Sequence, residues 1–294
     1  MSALPGPRAA ILLGAVLFST GGAAIKFSSF GGWQIACLRA LIAGLTVLAL
    51  LPAARRGWSW GVLPVAACYS GALLLFVLST KLTTAANAIF IQSTAPIWIL
   101  AMGPWILKEP IRRSDLAFMA VLAAGMALFF LPSGAAPPPT APDPFLGNAL
   151  AVGSSVCMAG LFTGLRWFAR REGGDGDRPA AVIVLGSLLL FAASLPMTFP
   201  WTAGRASDWV VLVYLGIFQI GLAYLLVARA LRTVSALEAS LLLLLEPVLN
   251  PVWTWLVHRE DPGVFALLGG TVILAATAFR ALRRNPLESP RPAG

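Results

Sequence analysis

Charge is scarce in this chain. Only 11% of its 294 residues are Asp, Glu, Lys or Arg, against about a quarter in soluble domains, so a water-soluble globule of this size would lack the material for a polar skin. Histidine is scarcer still. With His258 as the single example and no second His or Cys at ligand spacing, no metal site is expected. Cys37, Cys68 and Cys157 are the three cysteines, and all fall inside long apolar runs. An odd number of enclosed thiols gives no disulfide framework and reads as packing. The Gly-rich phosphate loop that ends in Lys-Ser or Lys-Thr is missing, which argues against ATP-driven pumping by this chain. One His at a helix end and one deep acid also fall short of an enzyme's acid–base or nucleophile constellation, so no catalysis and no cofactor are expected.

What the chain has is long apolar runs: 58% of its residues are hydrophobic and its mean hydropathy is +0.83. A helix needs about 20 apolar residues to cross roughly 30 Å of hydrocarbon. Ten segments qualify: Ala9–Ile25, Trp33–Leu51, Trp60–Thr80, Ala88–Leu107, Asp115–Leu131, Phe145–Phe168, Ala180–Pro200, Asp208–Ala230, Leu237–Val257 and Gly263–Arg280. The first follows a basic residue, Arg8, as a signal peptide would, but Gly21 and Gly22 run into Lys26 without a cleavage site, so it is expected to stay as a span. The bilayer is therefore the expected surroundings.

A net charge of +9 would suggest nucleic acid in a soluble protein. Counted over the loops, however, 16 of the 21 basic residues fall on the side of the N-terminus, Arg39 lies within a span, and only Lys26, Lys81, Arg205 and Arg259 fall on the other side. That asymmetry is a topology signal that predicts cytoplasmic termini, and no nucleic-acid partner is needed to explain it. Trp33, Trp58, Trp60, Trp105, Trp201 and Trp209 stand at span ends, where indoles favour the headgroup layer.

The one clear linker is PSGAAPPPTAPDP, residues 132–144, whose prolines forbid a helix. Five spans on each side give expected units at 1–131 and 145–284, with a tail at 285–294. Because five is odd, a second half that repeats the first must enter the membrane from the opposite face. An offset of 151 residues lays Lys81 on Arg232, Ala85 on Ala236, Ala88 on Ala239, Pro96 on Pro247, Lys108 on Arg259 and Glu109 on Glu260. The expected fold is an all-α polytopic membrane protein of ten transmembrane helices in two inverted five-helix repeats.

With Arg39 in CLRALIAGL, the run TTAANAIFIQSTAPIW in the first half, and SALEASLLLLLEPVLNPVW closed by HRED in the second, nearly the whole chain resembles the EamA-type permeases of the drug/metabolite transporter superfamily. The resemblance implies an inner-membrane transporter of small metabolites, often amino acids, that works by alternating access and in many members exports. Its cargo, direction and coupling ion are left open by these motifs.

The residues point to a site in the ninth span. Proline at 96 or 247 lacks an N–H and clashes with the carbonyl four residues earlier, so each should kink its helix near mid-membrane, and paired interruptions in two halves mark a transporter's centre. Glu246 lies nine residues beyond Leu237, roughly 13 Å along the axis. A carboxylate there must be protonated, paired or in contact with water. Asn250 and Trp253 share its helical stripe and should form a polar face with an aromatic wall, turned into a chamber. Arg39 could reach the same layer from the second span, or could snorkel to the surface. Tyr69, Gln92 and Trp98 are further lining candidates, as are Ser19, Thr20, Ser93, Asn148, Ser154, Gln219 and Tyr224. The small-residue rows Ala36, Ala40, Gly44 and Gly160, Gly164 are expected packing faces, within the monomer or between monomers.

Overall fold

The structure, a computed structural model, describes residues 6–108, 110–131, 138–172, 178–230 and 242–283. The expected start of the ninth span at Leu237, residues 132–137 of the linker and the tail at 285–294 lie outside them. Every regular element among the described residues is helical. The first span is made of α1 (Pro7–Ser19) and α2 (Gly21–Phe27), the second of α3 (Gly32–Leu50), the third of α4 (Val62–Leu82), the fourth of α5 (Ala85–Gln92) and α6 (Ala95–Ile106), and the fifth of α7 (Arg113–Ala127) with a short 3₁₀ turn. After the linker come α8 (Pro144–Glu172), α9 (Arg178–Ser194), then α10 (Ala206–Tyr214), a π-helical stretch (Leu215–Leu222) and α11 (Ala223–Ala230) as the eighth span. The ninth ends in α12 (Leu245–His258) and the tenth is α13 (Val264–Arg283). Nine of the spans are long and apolar enough to cross a bilayer as described, and the ninth is described only from Leu242. The chain is a multi-pass membrane protein.

Side chains set the helix starts. Asp115 accepts the Arg112 N–H at 2.9 Å and Asp208 the Arg205 N–H at 2.8 Å, while the Thr84 hydroxyl accepts the Asn87 N–H at 3.1 Å, which satisfies donors that a helix leaves orphaned. Trp60 and Trp105 are almost fully exposed, and Trp58, Trp201 and Trp209 are exposed beside them at span ends, as anchors require.

Lipid supplies no hydrophobic drive between helices, so close packing has to hold the bundle. In the main pair, α4 and α8, glycine and cysteine interlock: Gly160 abuts Cys68, Gly71 abuts Cys157, and Gly164 abuts Val65. Gly44 of α3 rests on Ser187 of α9, and Ala36 and Ala40 are fully buried. Both small-residue rows therefore pack inside the monomer. Gly186 tests this packing, because an added Cβ would lie 2.5 Å from the Tyr69 ring and 2.8 Å from the Ala66 carbonyl oxygen. Gly186→Ala should lower stability by about 1–3 kcal/mol, read as earlier thermal unfolding of the detergent-purified protein; an unchanged transition would contradict this packing.

The repeat is visible in the backbone. Lys108 and Arg259, paired by the 151-residue offset, are the non-glycine residues with positive φ among the described residues, at 55° and 54°, and each follows the second part of its span. Pro96 and Pro247 also correspond. Each sits in the first turn of a restarted helix, where a missing N–H costs nothing. The expected kink takes the form of a short turn: the fourth span turns at Ser93 and Thr94 between α5 and α6, and the ninth at Leu244 before α12 begins. Two more interruptions, at Thr20 and in the π segment, carry no proline.

Candidate functional site

The break in the first span meets the π segment of the eighth and α12 of the ninth. Gly21 lies against the Gln219 amide, Gly22 against Asn250 and Ala85, and the Phe18 ring meets Tyr224 edge-on at 5.0 Å. Lacking side chains, Gly21 and Gly22 let the broken first span approach both the π segment and α12. A Cβ at Gly22 would collide with the Asn250 side chain.

The two matched breaks differ in how they are satisfied. At the fourth span the Gln92 amide donates to Ser154 at 2.7 Å, Ser154 donates to the Ala72 carbonyl at 2.7 Å, Thr94 and Ser155 share a hydrogen bond of 3.1 Å, and Ser93 returns to the Ile89 carbonyl at 2.8 Å. This break is sewn to α8 and α4, so Gln92 has a structural place. Trp98 packs on the main apolar core, its indole N–H enclosed without a partner.

At the ninth span nothing comparable is found among the described residues. Glu246 is half-buried in the first turn of α12 and forms no hydrogen bond or ion pair with them. Tyr224 lies within electrostatic reach of Glu246, and its ring centroid is 6.0 Å from that of Tyr69.

Arg39 stands beyond the tyrosines. It is 1% exposed, so it does not snorkel, and it forms no ion pair with Glu246; one guanidinium nitrogen donates to the Leu73 carbonyl at 3.2 Å. Its Nε, the Tyr69 hydroxyl, the Gln219 Oε1 and both polar atoms of Asn250 are buried without a hydrogen-bond partner among the described residues. Buried polar groups are nearly always paired, and each one left unpaired costs about 1–3 kcal/mol. Two of these atoms belong to Arg39 and Tyr69, which reach toward Glu246 through Tyr224, and the others to Gln219 and Asn250 beside Gly21 and Gly22, so the middle of the bundle holds a polar layer with unmet demand. Donors gather on the Arg39 side and a carboxylate waits on the other, with two phenol rings between.

Trp253 does not complete this layer. Its indole N–H donates to Ser19 at 2.9 Å, and its ring walls a cleft of about 420 Å³ together with Thr20, Ala23, Ala24, Phe27, Val211, Tyr214 and Val257. Glu246 and Asn250 are not among the lining residues. The expected continuous face is divided: Asn250 closes on Gly22, while Trp253 is tied to Ser19 and turned to this cleft.

Sequence reasoning missed the far end of the bundle, away from the N-terminus. Lys26 and Glu260, expected as loop charges, form an ion pair of 2.8 Å with side chains only 3% and 2% exposed. Lys26 also donates to the Thr83 carbonyl at 2.8 Å, and Glu260 accepts the Ala85 N–H at 2.7 Å, an orphan donor at the start of α5. Beside them Asn148 accepts from Thr83 at 2.8 Å and Asn87 at 3.2 Å and donates to the Phe129 carbonyl at 2.7 Å. This network joins the ends of the first, third and ninth spans to the starts of the fourth and sixth. The available signal was the 151-residue offset, which pairs Glu260 with Glu109.

A sequence profile of the EamA-like transporter family matches residues 9–131 and again 145–281. The chain belongs to the EamA-like transporter family. Two relatives from Bacillus subtilis (strain 168) are each named an uncharacterized transporter: YdfC, 34% identical over 77 residues, and YxxF, 22% identical over 208. Those alignments cover 26% and 69% of this chain but only 25% and 63% of YdfC and YxxF. A crystal structure described only as that of a protein superposes with a TM-score of 0.62 at 20% identity, covering 96% of this chain and 99% of its own, and shows the shared fold. The family is one of transporters, which points to transport rather than catalysis.

Proposed function

We propose that this protein is a secondary transporter of the inner membrane that exports a small polar, amino-acid-like solute by alternating access, with Glu246 as the binding and proton-coupling group. The observation that carries the reading is the contrast between the two matched breaks: the fourth span's is fully hydrogen-bonded, while the ninth span's presents Glu246 to a layer of unpartnered donors and acceptors. A solute with an ammonium group would meet Glu246, and its carboxylate would meet Arg39 and Tyr69, so that one ligand answers both sides of the layer. Asn250 and Gln219 supply neutral contacts between them.

Export fits the closed end. The charge distribution puts both termini in the cytoplasm, so the Lys26–Glu260 network seals the periplasmic end and loading falls to the cytoplasmic one. Reconstitution into liposomes tests the reading: counterflow of a radiolabelled amino acid should saturate with concentration and be driven by unlabelled solute on the other side. Flux that rises linearly without counterflow would instead mark a pore, and flux that neither responds to a proton gradient nor runs outward would favour a facilitative importer. Enclosure of the layer also predicts that Gly22→Val, which drives a side chain into Asn250, lowers solute affinity at least about tenfold, the equivalent of 1.4 kcal/mol; retained wild-type affinity in a binding titration would contradict the proposed location.

A further inference from the structure

The cleft walled by Trp253 belongs to neither the polar layer nor the far-end network. Its floor is the outer part of the first span, Thr20 to Phe27, its walls are Val211 and Tyr214 of the eighth span and Trp253 and Val257 of the ninth, and it runs roughly 10 Å along the helix axis. The polar groups on it are already engaged: Thr20 and Tyr214 share a hydrogen bond of 2.8 Å, and Trp253 donates to Ser19. A polar solute would find no partner there. Phe27 and Val257 are exposed, so the cleft opens sideways, to acyl chains rather than to water.

Its upper end carries charge. Four basic residues belong to this face of the bundle: Lys26, Lys81, Arg205 and Arg259. Lys26 is committed to Glu260 and Lys81 donates to the Ser28 carbonyl at 2.6 Å. Arg205 and Arg259 are exposed, the first at the start of the eighth span and the second two residues past Val257 at the end of the ninth. Arg205 opens the eighth span, where Asp208 holds the Ser29 N–H at 2.8 Å just past Phe27; Arg259 follows His258, whose ring is 2.9 Å from the Ala23 carbonyl oxygen. Arg205 has only a 3.8 Å contact with Asp208, and the side chain of Arg259 makes no hydrogen bond or ion pair with the described residues. The nearby Asp261 is occupied with the Gly263 N–H at 2.8 Å. Trp201 and Trp209 stack at 6.4 Å at the same level, the height of the headgroups.

We infer that this cleft is a binding site for an anionic phospholipid of the outer leaflet, one acyl chain lying on Ala23 and Ala24 between Tyr214 and Trp253, and the phosphate held by Arg205 and Arg259. Two cations on the two helices that bound one apolar groove give the headgroup and the tail separate places, and a scattered annular contact supplies neither. The lipid would rest on the segment that carries Lys26, so occupancy bears on the far-end network.

Brominated phospholipids test this through the fluorescence of Trp253, taken as the difference between the wild-type protein and Trp253→Phe in vesicles of phosphatidylcholine. Brominated phosphatidylglycerol should quench that component at a mole fraction about 25-fold lower than brominated phosphatidylcholine. Arg205→Gln with Arg259→Gln should remove the preference, at about fivefold per arginine, the equivalent of about 1 kcal/mol per basic residue near an anionic surface. Ala24→Trp, which fills the groove, should protect Trp253 from both lipids, with circular dichroism verifying that each variant is folded. Equal quenching by the two lipids, or a preference that survives loss of both arginines, would overturn the inference. So would a dimer in size-exclusion chromatography with Trp253 shielded from either lipid, which would give the groove to a second copy of the chain. None of these readouts depends on transport, so the site and the proposed transport function can fail separately.

Discussion

Glu246→Gln should abolish counterflow of the solute that the wild-type protein carries, the solute being found with a panel of radiolabelled amino acids, nucleosides and organic acids. The substitution keeps the size of the side chain and removes its charge. If a solute ammonium is held there, losing a desolvated charged contact costs about 2–5 kcal/mol, which is about thirtyfold or more in affinity. The fold should survive, because Glu246 makes no hydrogen bond or ion pair among the described residues, and purified yield and thermal unfolding should match the wild type. That combination separates a binding role from a structural one. Replacing Gln92, which is bonded to Ser154, should do the reverse: Gln92→Ala lowers stability by about 1 kcal/mol and leaves solute selectivity alone. A Glu246→Gln protein that transports normally, or one that fails to fold, would remove Glu246 from the site.

The second large effect is expected at the far end. Breaking a buried ion pair by removing one partner strands the other charge in a low-dielectric setting and costs about 3–5 kcal/mol. Lys26→Met leaves Glu260 with only the Ala85 N–H, and Glu260→Gln leaves Lys26 on two backbone carbonyl groups. Each single variant should unfold markedly earlier in a thermal or denaturant series. The double variant should regain a large part of the loss, since no charge then remains buried, and its positive coupling in a double-mutant cycle is the signature of the pair. If the network is the far-side gate, the double variant should also label more readily from that side. Additive losses with no coupling would mean that Lys26 and Glu260 are not paired in the membrane.

Much of this architecture could be read from composition and periodicity. Ten apolar runs separated by basic or proline-rich joints leave few alternatives to a ten-helix bundle, and the described span ends fall within a few residues of the expected ones, the start of the ninth lying outside the described residues. The breaks in the fourth and ninth spans were legible because proline has a local steric effect. Those at Thr20 and in the π segment were not: they depend on glycines at 21, 216 and 221 meeting particular neighbours, Gln219, Ile42 and Thr46, and closeness between distant helices leaves no local mark. The same reason hid the Lys26–Glu260 pair. A charge count sorts each residue to a face, but it cannot tell a solvated loop lysine from one drawn beneath a neighbouring turn. Conversely, Gln92 and Trp253 carry the composition of a lining residue, and only the placement of Ser154 and Ser19 shows that both are already engaged.

The central claim is that the layer around Glu246 is exposed in turn to each side of the membrane. Asn250→Cys, in a background with Cys37, Cys68 and Cys157 replaced by alanine, can be probed with a membrane-impermeant thiol reagent in right-side-out and inside-out vesicles. Alternating access predicts labelling from both sides, with labelling from the far side rising when the Lys26–Glu260 pair is removed. A cysteine that labels from neither side, or from one side alone whatever the state of that pair, would contradict the account.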